Sequence, residues 1–233
     1  MKDKKAGPAM YTHIKRILDF MLSVIGIIIL SPVFAVIAAA IKLDSVGPVL
    51  FKQKRVGIHK THFNIYKFRT MRIDTPKDIP THMLEDPERY ITKIGAFLRR
   101  TSLDELPQIF NILKGEMAVV GPRPALWNQY DLIAERDKYG ANDIRPGLTG
   151  WAQINGRDEL TIEVKARFDG EYTQHISFRM DYTCFLITFG EVLKHRGVIE
   201  GGTGVLARQK AKCENEVAQT SAASAVKDEA ARK

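Results

Sequence analysis

The chain has 233 residues, 45% of them apolar, which is enough for one domain of ordinary size with a core of its own plus additional segments. A net charge of +8 favours an anionic partner: nucleic acid, anionic lipid head groups or phosphorylated substrates. Cys184 and Cys213 lie far apart and show no metal-ligand spacing, which argues against a disulfide framework and against a zinc site.

From Phe20 to Ile41 there is no formal charge. About 22 residues at ~1.5 Å rise give ~33 Å of helix, long enough for a bilayer core of ~30 Å. The run is too long for a signal peptide and lacks a small-residue cleavage pattern. Ser31-Pro32 lies near its middle. Pro32 has no N–H for the carbonyl of Ile28, and Ser31 can bond back to the carbonyl of Ile27, which favours a bend. Lys2, Lys4, Lys5, Lys15 and Arg16 precede the run, and Lys42, Lys52, Lys54, Arg55 and Lys60 follow it. The positive-inside rule wants both flanks on the cytoplasmic side. A helix-break-helix that enters and returns satisfies it, while a kinked spanning helix fits the length. The residues alone leave both open, and a third reading, a buried soluble helix, is disfavoured because the run is apolar on all faces.

Gly47-Pro48 is a turn signal and closes this first module. Val49–Gln53 reads as a strand, Gly57–Lys60 as a turn and His62–Arg69 as a second strand, together a hairpin. Asp74–Asp86 is polar, contains Pro76 and Pro80, and reads as a loop. Pro87–Arg100 reads as a helix with Pro87 in its first turn. A further helix begins near Ser102 and ends at Lys114-Gly115, with a cationic last turn and a C′ glycine. Trp127–Tyr139 reads as a helix, Arg145–Trp151 as a glycine-rich turn, and Glu159–His195 as mostly helical. Phe178, Met180, Tyr182, Phe185, Leu186 and Phe189 give that last region a large apolar surface, suited to a core or to a lipid interface. After Arg208 the composition is that of a weakly ordered tail.

The chemistry-bearing residues follow one another closely. Asp104 and Glu105 are adjacent acids at a helix start. Ser102 with Glu105 makes a capping-box pattern, but that register sets Pro107 inside the helix; with Asp104 as the N-cap, Pro107 falls at a tolerated position. Arg123, between Pro122 and Pro124, is a guanidinium on a fixed backbone, suited to bidentate phosphate binding or to a plain surface turn. Arg99 and Arg100 end a helix where cations are expected anyway, Arg145 and Arg157 flank a turn-rich stretch, and Lys67 and Arg69 lie on a strand that they could simply edge with charge.

In order and spacing these blocks resemble the bacterial sugar transferases, specifically the monotopic phosphoglycosyl transferases. The matching pieces are Lys15-Arg16-Ile17-Leu18-Asp19, Ser31-Pro32, Phe51–Gly57, Tyr66–Met71, Arg99–Asn111, Gly115-Glu116-Met117, Val120–Pro124 and Arg145–Arg157. The likeness runs from about Tyr11 to about Gly202; relatives of larger size carry membrane helices and a further domain ahead of this core, so the chain looks like the minimal form. The resemblance implies an α+β, mostly helical fold with an N-terminal re-entrant membrane helix broken at Ser31-Pro32, a small β-hairpin and interfacial amphipathic helices. On that reading residues 1–46 form the membrane helix, 47–205 a catalytic domain on the cytosolic face of the bacterial inner membrane, and 206–233 a disordered tail.

It also implies Asp104 as nucleophile and Glu105 as its partner, both associated with Mg²⁺. Arg123 is implied as the phosphate-binding arginine, with Arg99, Lys67, Arg145 and Arg157 around the same pocket. The implied reaction passes a sugar-1-phosphate from a UDP-sugar to a polyprenol phosphate, undecaprenyl phosphate being the expected acceptor, at the first membrane step of a glycoconjugate pathway. A non-catalytic, membrane-anchored scaffold for glycan enzymes is the alternative. Nothing in the chain resembles a nucleic-acid recognition module. The sugar, the pathway and the oligomeric state are not legible.

Overall fold

In a computed structural model, which describes residues 7–75, 87–156 and 160–193, the apolar run is part of one helix, α1 (Gly7–Asp44), with Pro32 inside it. The carbonyl of Ile28, which Pro32 cannot bond, accepts instead from Ser31 Oγ at 2.9 Å. Ile28, not the expected Ile27, is thus the partner of Ser31. This local bond replaces the missing N–H, and helical structure continues through the expected break. Among the described residues α1 is the one helix long and apolar enough to cross a membrane. Arg157, most of the expected 74–86 loop and the expected tail lie outside the described residues.

Alternating residues form the hairpin as expected. β1 (Leu50–Val56) pairs antiparallel with β2 (His62–Phe68), from Leu50 opposite Phe68 to Val56 opposite His62. The stretch expected as one helix from Pro87 divides. A 3₁₀ turn (Pro87–Tyr90) is followed by a bridge between Met71 and Ile91, and α2 (Lys93–Arg100) begins only after Thr92, whose side chain accepts from Gly95 N. The Thr92 cap explains the later start.

α3 (Ile109–Lys114) ends on Gly115 in the left-handed region (φ 83°), as the C′ glycine predicts. β3 (Ala118–Val120) follows, then α4 (Tyr130–Asp137), shorter than expected. The expected turn after Arg145 contains a strand, β4 (Gly147–Thr149), parallel to β3. Backbone meets backbone here: a Cβ at Gly121 would lie 2.5 Å from the Arg145 carbonyl oxygen, so only glycine fits this crossing. α5 (Trp151–Ile154) comes next. The final helical region is two helices, α6 (Ile162–Gln174) and α7 (Phe178–Leu193).

α1 is seated on the body at both ends. Near its start, Tyr11 Oη and Lys15 Nζ reach Asp181 Oδ2 of α7 at 2.8 and 2.6 Å, and Arg16 donates to the Ile112 and Leu113 carbonyls at 2.7 and 2.9 Å. Near its end, Ile37 and Ile41 pack with Phe68 and Leu98, and Asp44 Oδ2 accepts from Ile94 N at 3.1 Å. Arg69, read as possible edge charge, is buried and donates to the Val46 and Ser45 carbonyls just past the helix. The middle of α1 exposes Ile25, Ile28, Ile29 and Val36. α7 likewise exposes Phe178, Tyr182, Phe185, Leu186 and Phe189.

Candidate active site

Neither expected cap forms at the adjacent acids. Ser102 takes a left-handed backbone (φ 57°, ψ 15°) and makes no side-chain cap bond. A 3₁₀ segment, Leu103–Gln108, then carries Asp104 and Glu105 in its first turn and contains Pro107. The proline, without an N–H, sits in this tighter turn, and α3 starts just beyond it.

Asp104 is only 5% exposed. Its Oδ2 lies 4.0 Å from Lys67 Nζ. Glu105 Oε1 accepts from Lys67 Nζ at 2.9 Å and from an Arg123 guanidinium nitrogen at 3.0 Å. Burial by itself would raise the Glu105 carboxyl, but the Arg123 guanidinium and the Lys67 ammonium outweigh it and hold the group well below the usual carboxylate range. Lys67 reaches this point because it shares a strand face with Phe63 and Ile65, which pack on Ile112 and Met117. It is a cation on the inward side of β2, not an edge charge.

Arg123 sits on a backbone held through carbonyls, since its proline neighbours donate nothing. Pro122 O accepts from Gly147 N at 2.9 Å, Arg123 O from Arg136 at 3.0 Å, Pro124 O from Arg55 at 3.0 Å and Ala125 O from Val56 N at 3.0 Å. Arg136, 4% exposed, is itself fixed by Asp169, 1% exposed, at 2.6–2.8 Å. Burial raises the Asp169 carboxyl against the lowering effect of Arg136.

Asp104, Glu105, Arg99 and Arg123 line one cavity of about 560 Å³, together with Arg136, Lys165 and Asp169. Arg99 is steadied by Thr70 Oγ1 at 3.0 Å and Met71 Sδ at 3.3 Å. Lys67 touches the acids from behind. Arg145 is not brought to this cavity: its Nε donates to the Gly115 carbonyl at 3.0 Å, and it borders a separate small pocket with Lys15, Arg16 and Asp19. Ser31 and Pro32 stay on the exposed middle of α1.

Sequence reasoning missed Arg136, Asp169 and Lys165. One signal was available: Arg136 follows Leu132 by four residues, so an arginine shares the buried face of α4. Two carboxylates supply hard oxygen donors suited to Mg²⁺, which binds through one or two carboxylates plus substrate phosphates. Among the described residues no three His, Cys, Asp or Glu side chains cluster to hold a metal alone. The residues therefore fit a Mg²⁺ held jointly with a phosphorylated ligand. What the cavity can do chemically is set by a buried carboxylate ringed by cations: it can receive a phosphate group and attack it.

Comparison with known proteins points the same way. A family described as bacterial sugar transferase matches residues 10–195. The chain is 37% identical over 185 residues to the uncharacterized sugar transferase EpsL of Bacillus subtilis, covering 79% of this chain and 90% of that protein. It is 40% identical over 183 residues to the UDP-glucose:undecaprenyl-phosphate glucose-1-phosphate transferase of Escherichia coli, covering 75% of this chain and 39% of that one. It is 35% identical over 189 residues to the UDP-N-acetylgalactosamine-undecaprenyl-phosphate N-acetylgalactosaminephosphotransferase of Aeromonas hydrophila, covering 78% and 44%. The chain thus spans most of the first relative and less than half the length of the other two.

Proposed function

The chain belongs to the bacterial sugar transferase family, and from that premise we propose that it transfers a sugar-1-phosphate from a UDP-sugar to a polyprenol phosphate, with undecaprenyl phosphate as the acceptor and Asp104 as the nucleophile. The observation that carries this reading is the placement of Asp104: buried at the cavity wall, 4.0 Å from Lys67 Nζ, with Arg99 and Arg123 lining the same space. The relatives named as undecaprenyl-phosphate sugar phosphotransferases support the substrate classes.

In the first step an Asp104 carboxylate oxygen attacks the β-phosphorus of the donor, the bond from that phosphorus to the bridging oxygen breaks, and UMP leaves with the electron pair. A phosphosugar-aspartyl intermediate results. In the second step a phosphate oxygen of the polyprenol phosphate attacks the same phosphorus and the carboxylate is restored. No net proton is required. Glu105, kept ionised by Arg123 and Lys67, orients both cations, and Arg123 on its pinned backbone meets the phosphate charge with little reorganisation. Mg²⁺, held by Asp104 and Glu105 with the donor, would offset the charge of the diphosphate.

The same reading places the body on the cytosolic face of the inner membrane, with α1 re-entrant and α7 in the interface. Support comes from the seating of α1. A helix crossing the bilayer would carry Tyr11 and Asp44 to opposite sides, ~50 Å apart at ~1.5 Å per residue. Both residues instead bond the one polar body, and the apolar middle of α1 and the aromatic face of α7 are left for lipid. The arrangement holds Asp104 where a lipid phosphate already lies, raising effective concentration.

The test is UMP release by nanodisc-embedded protein with Mg²⁺, undecaprenyl phosphate and a panel of UDP-sugars, beside Asp104→Asn. Release from one sugar, lost by on the order of a thousandfold in the variant, is expected. Equal release in the variant would remove Asp104 from the mechanism. A folded protein silent across the panel, with the variant no different, would favour the scaffold.

A further inference from the structure

Three residues other than glycine take a positive φ among the described residues: His59, Lys60 and Ser102. The first two lie in the turn of the β1–β2 hairpin, whose tight geometry asks for that conformation. Ser102 has no hairpin to serve. It lies just past α2, where a helix stop calls for a left-handed backbone. The corresponding stop at the end of α3 is filled by Gly115, which has no Cβ to strain. After α2 the chain instead carries a serine side chain through a conformation that disfavours one.

Ser102 also lines the cavity, two residues ahead of Asp104. Among the described residues five serines and threonines line that space, and four of their hydroxyls are tied down. Ser23 Oγ donates to the Phe20 carbonyl at 2.7 Å, Thr101 Oγ1 donates to the Phe97 carbonyl at 2.9 Å, and Thr149 and Thr188 bond each other. Ser102 Oγ has no such partner among the described residues. Its main chain, by contrast, is fixed on both sides. Ser102 N donates to the Arg99 carbonyl at 3.2 Å, and the Ser102 carbonyl accepts from Glu105 N at 3.3 Å. A neutral donor has a use here. Lys67 and Arg123 both bond Glu105, and Asp104 brings a negative oxygen toward a negative phosphate. A hydroxyl can donate to a phosphate oxygen while bringing no charge of its own.

Resting on the function proposed above, we propose that Ser102 is a further catalytic residue: its Oγ donates a hydrogen bond to a nonbridging oxygen of the phosphate that Asp104 attacks, and its left-handed backbone serves to aim that hydroxyl. No bond of the serine is made or broken, and no proton is transferred. The contact persists through both steps, since the same phosphorus is attacked twice. Glycine, which the backbone favours at this position, relaxes the turn and leaves the phosphate one donor short.

The experiment compares the native full chain, Ser102→Gly and Ser102→Ala in nanodiscs with Mg²⁺ and the UDP-sugar that the panel identifies. It reads the thermal midpoint, the donor KM and the single-turnover rate of UMP release. Both variants should release UMP about ten- to hundredfold more slowly, the loss expected for one hydrogen bond to a charged group, with donor KM changed by less than about threefold. Ser102→Gly should nonetheless melt about 2–4 °C above the native protein, because the strain is gone, while Ser102→Ala melts with it. A more stable protein that is slower separates the hydroxyl from any part it plays in folding. A Ser102→Gly protein with the native rate, a defect confined to one variant, or rates that fall only as far as the midpoints do would overturn the assignment. Where the native protein releases UMP only with acceptor present, the same comparisons are made on acceptor-dependent kcat, so the covalent route and the role of Ser102 fail separately. A native protein that releases no UMP from any donor fails the function itself, and Ser102 with it.

Discussion

The Arg136 guanidinium donates to the backbone carbonyl of Arg123 at 3.0 Å while Asp169 holds it from the other side at 2.6–2.8 Å. A buried ion pair is thereby spent on placing the main chain of the cation that meets Glu105. Removing one partner leaves an uncompensated buried charge, at a cost of about 3–5 kcal/mol. Asp169→Ala should lower the unfolding midpoint markedly. Arg136→Lys, which keeps the charge but loses the fork, should fold and yet lower kcat more than it raises the donor KM. Unfolding curves and steady-state kinetics on the two variants check this; wild-type kcat in Arg136→Lys would show that Arg123 needs no such support.

Glu105 gives a pH prediction. Its folded value is depressed below the ordinary 4.5, so the ion cluster contributes stability that is fully present above about pH 4.5. That contribution is lost as pH falls through the depressed value. Glu105→Gln has no such group to protonate. Between pH 6 and pH 3 the unmodified protein should therefore lose more stability than the variant, as read by denaturant midpoints. Parallel losses would contradict the cluster.

Arg145 separates resemblance from geometry. Its Nε donates to the Gly115 carbonyl, away from the Asp104 cavity. Arg145→Gln should cost about 1–3 kcal/mol of stability, the range for a hydrogen bond from a charged group, with kcat/KM for the donor changed by less than about threefold. A collapse of donor kcat/KM in a folded Arg145→Gln protein would return this residue to the phosphate site.

Topology is open to labelling. Burial pushes the Cys184 thiol up to about 12, so it stays protonated and unreactive toward maleimide. In a Cys213→Ser background, single cysteines at Thr12 and Ser45 should both react with an impermeant maleimide on inside-out vesicles, and neither on right-side-out ones. Labelling from opposite sides would make α1 a spanning helix.

The hairpin was legible because β1 and β2 are long enough to show alternation, and the end of α3 because Gly115 is a cheap left-handed stop. The β3–β4 pair was not. Three-residue strands carry no period, and the glycines that let Gly121 and Gly147 meet read as turn signals. At the site, Asp104, Glu105 and Arg123 stood out through adjacency and proline flanking, which are local properties. Arg136 and Asp169 are 33 residues apart and become a pair only when α4 and α6 pack. Arg145 failed to join the cavity because the parallel pair turns its side chain toward the end of α3.

The central claim is the covalent role of Asp104, and the direct measurement is label transfer without acceptor. The protein is mixed with Mg²⁺ and its UDP-sugar carrying ³²P at the β-position, quenched, and mapped by peptide mass. The account predicts UMP in amounts matching the enzyme, label on the peptide containing Asp104, and its loss on adding undecaprenyl phosphate. UMP formed only when acceptor is present, with no labelled protein at any time, would contradict it and indicate direct transfer between the two substrates.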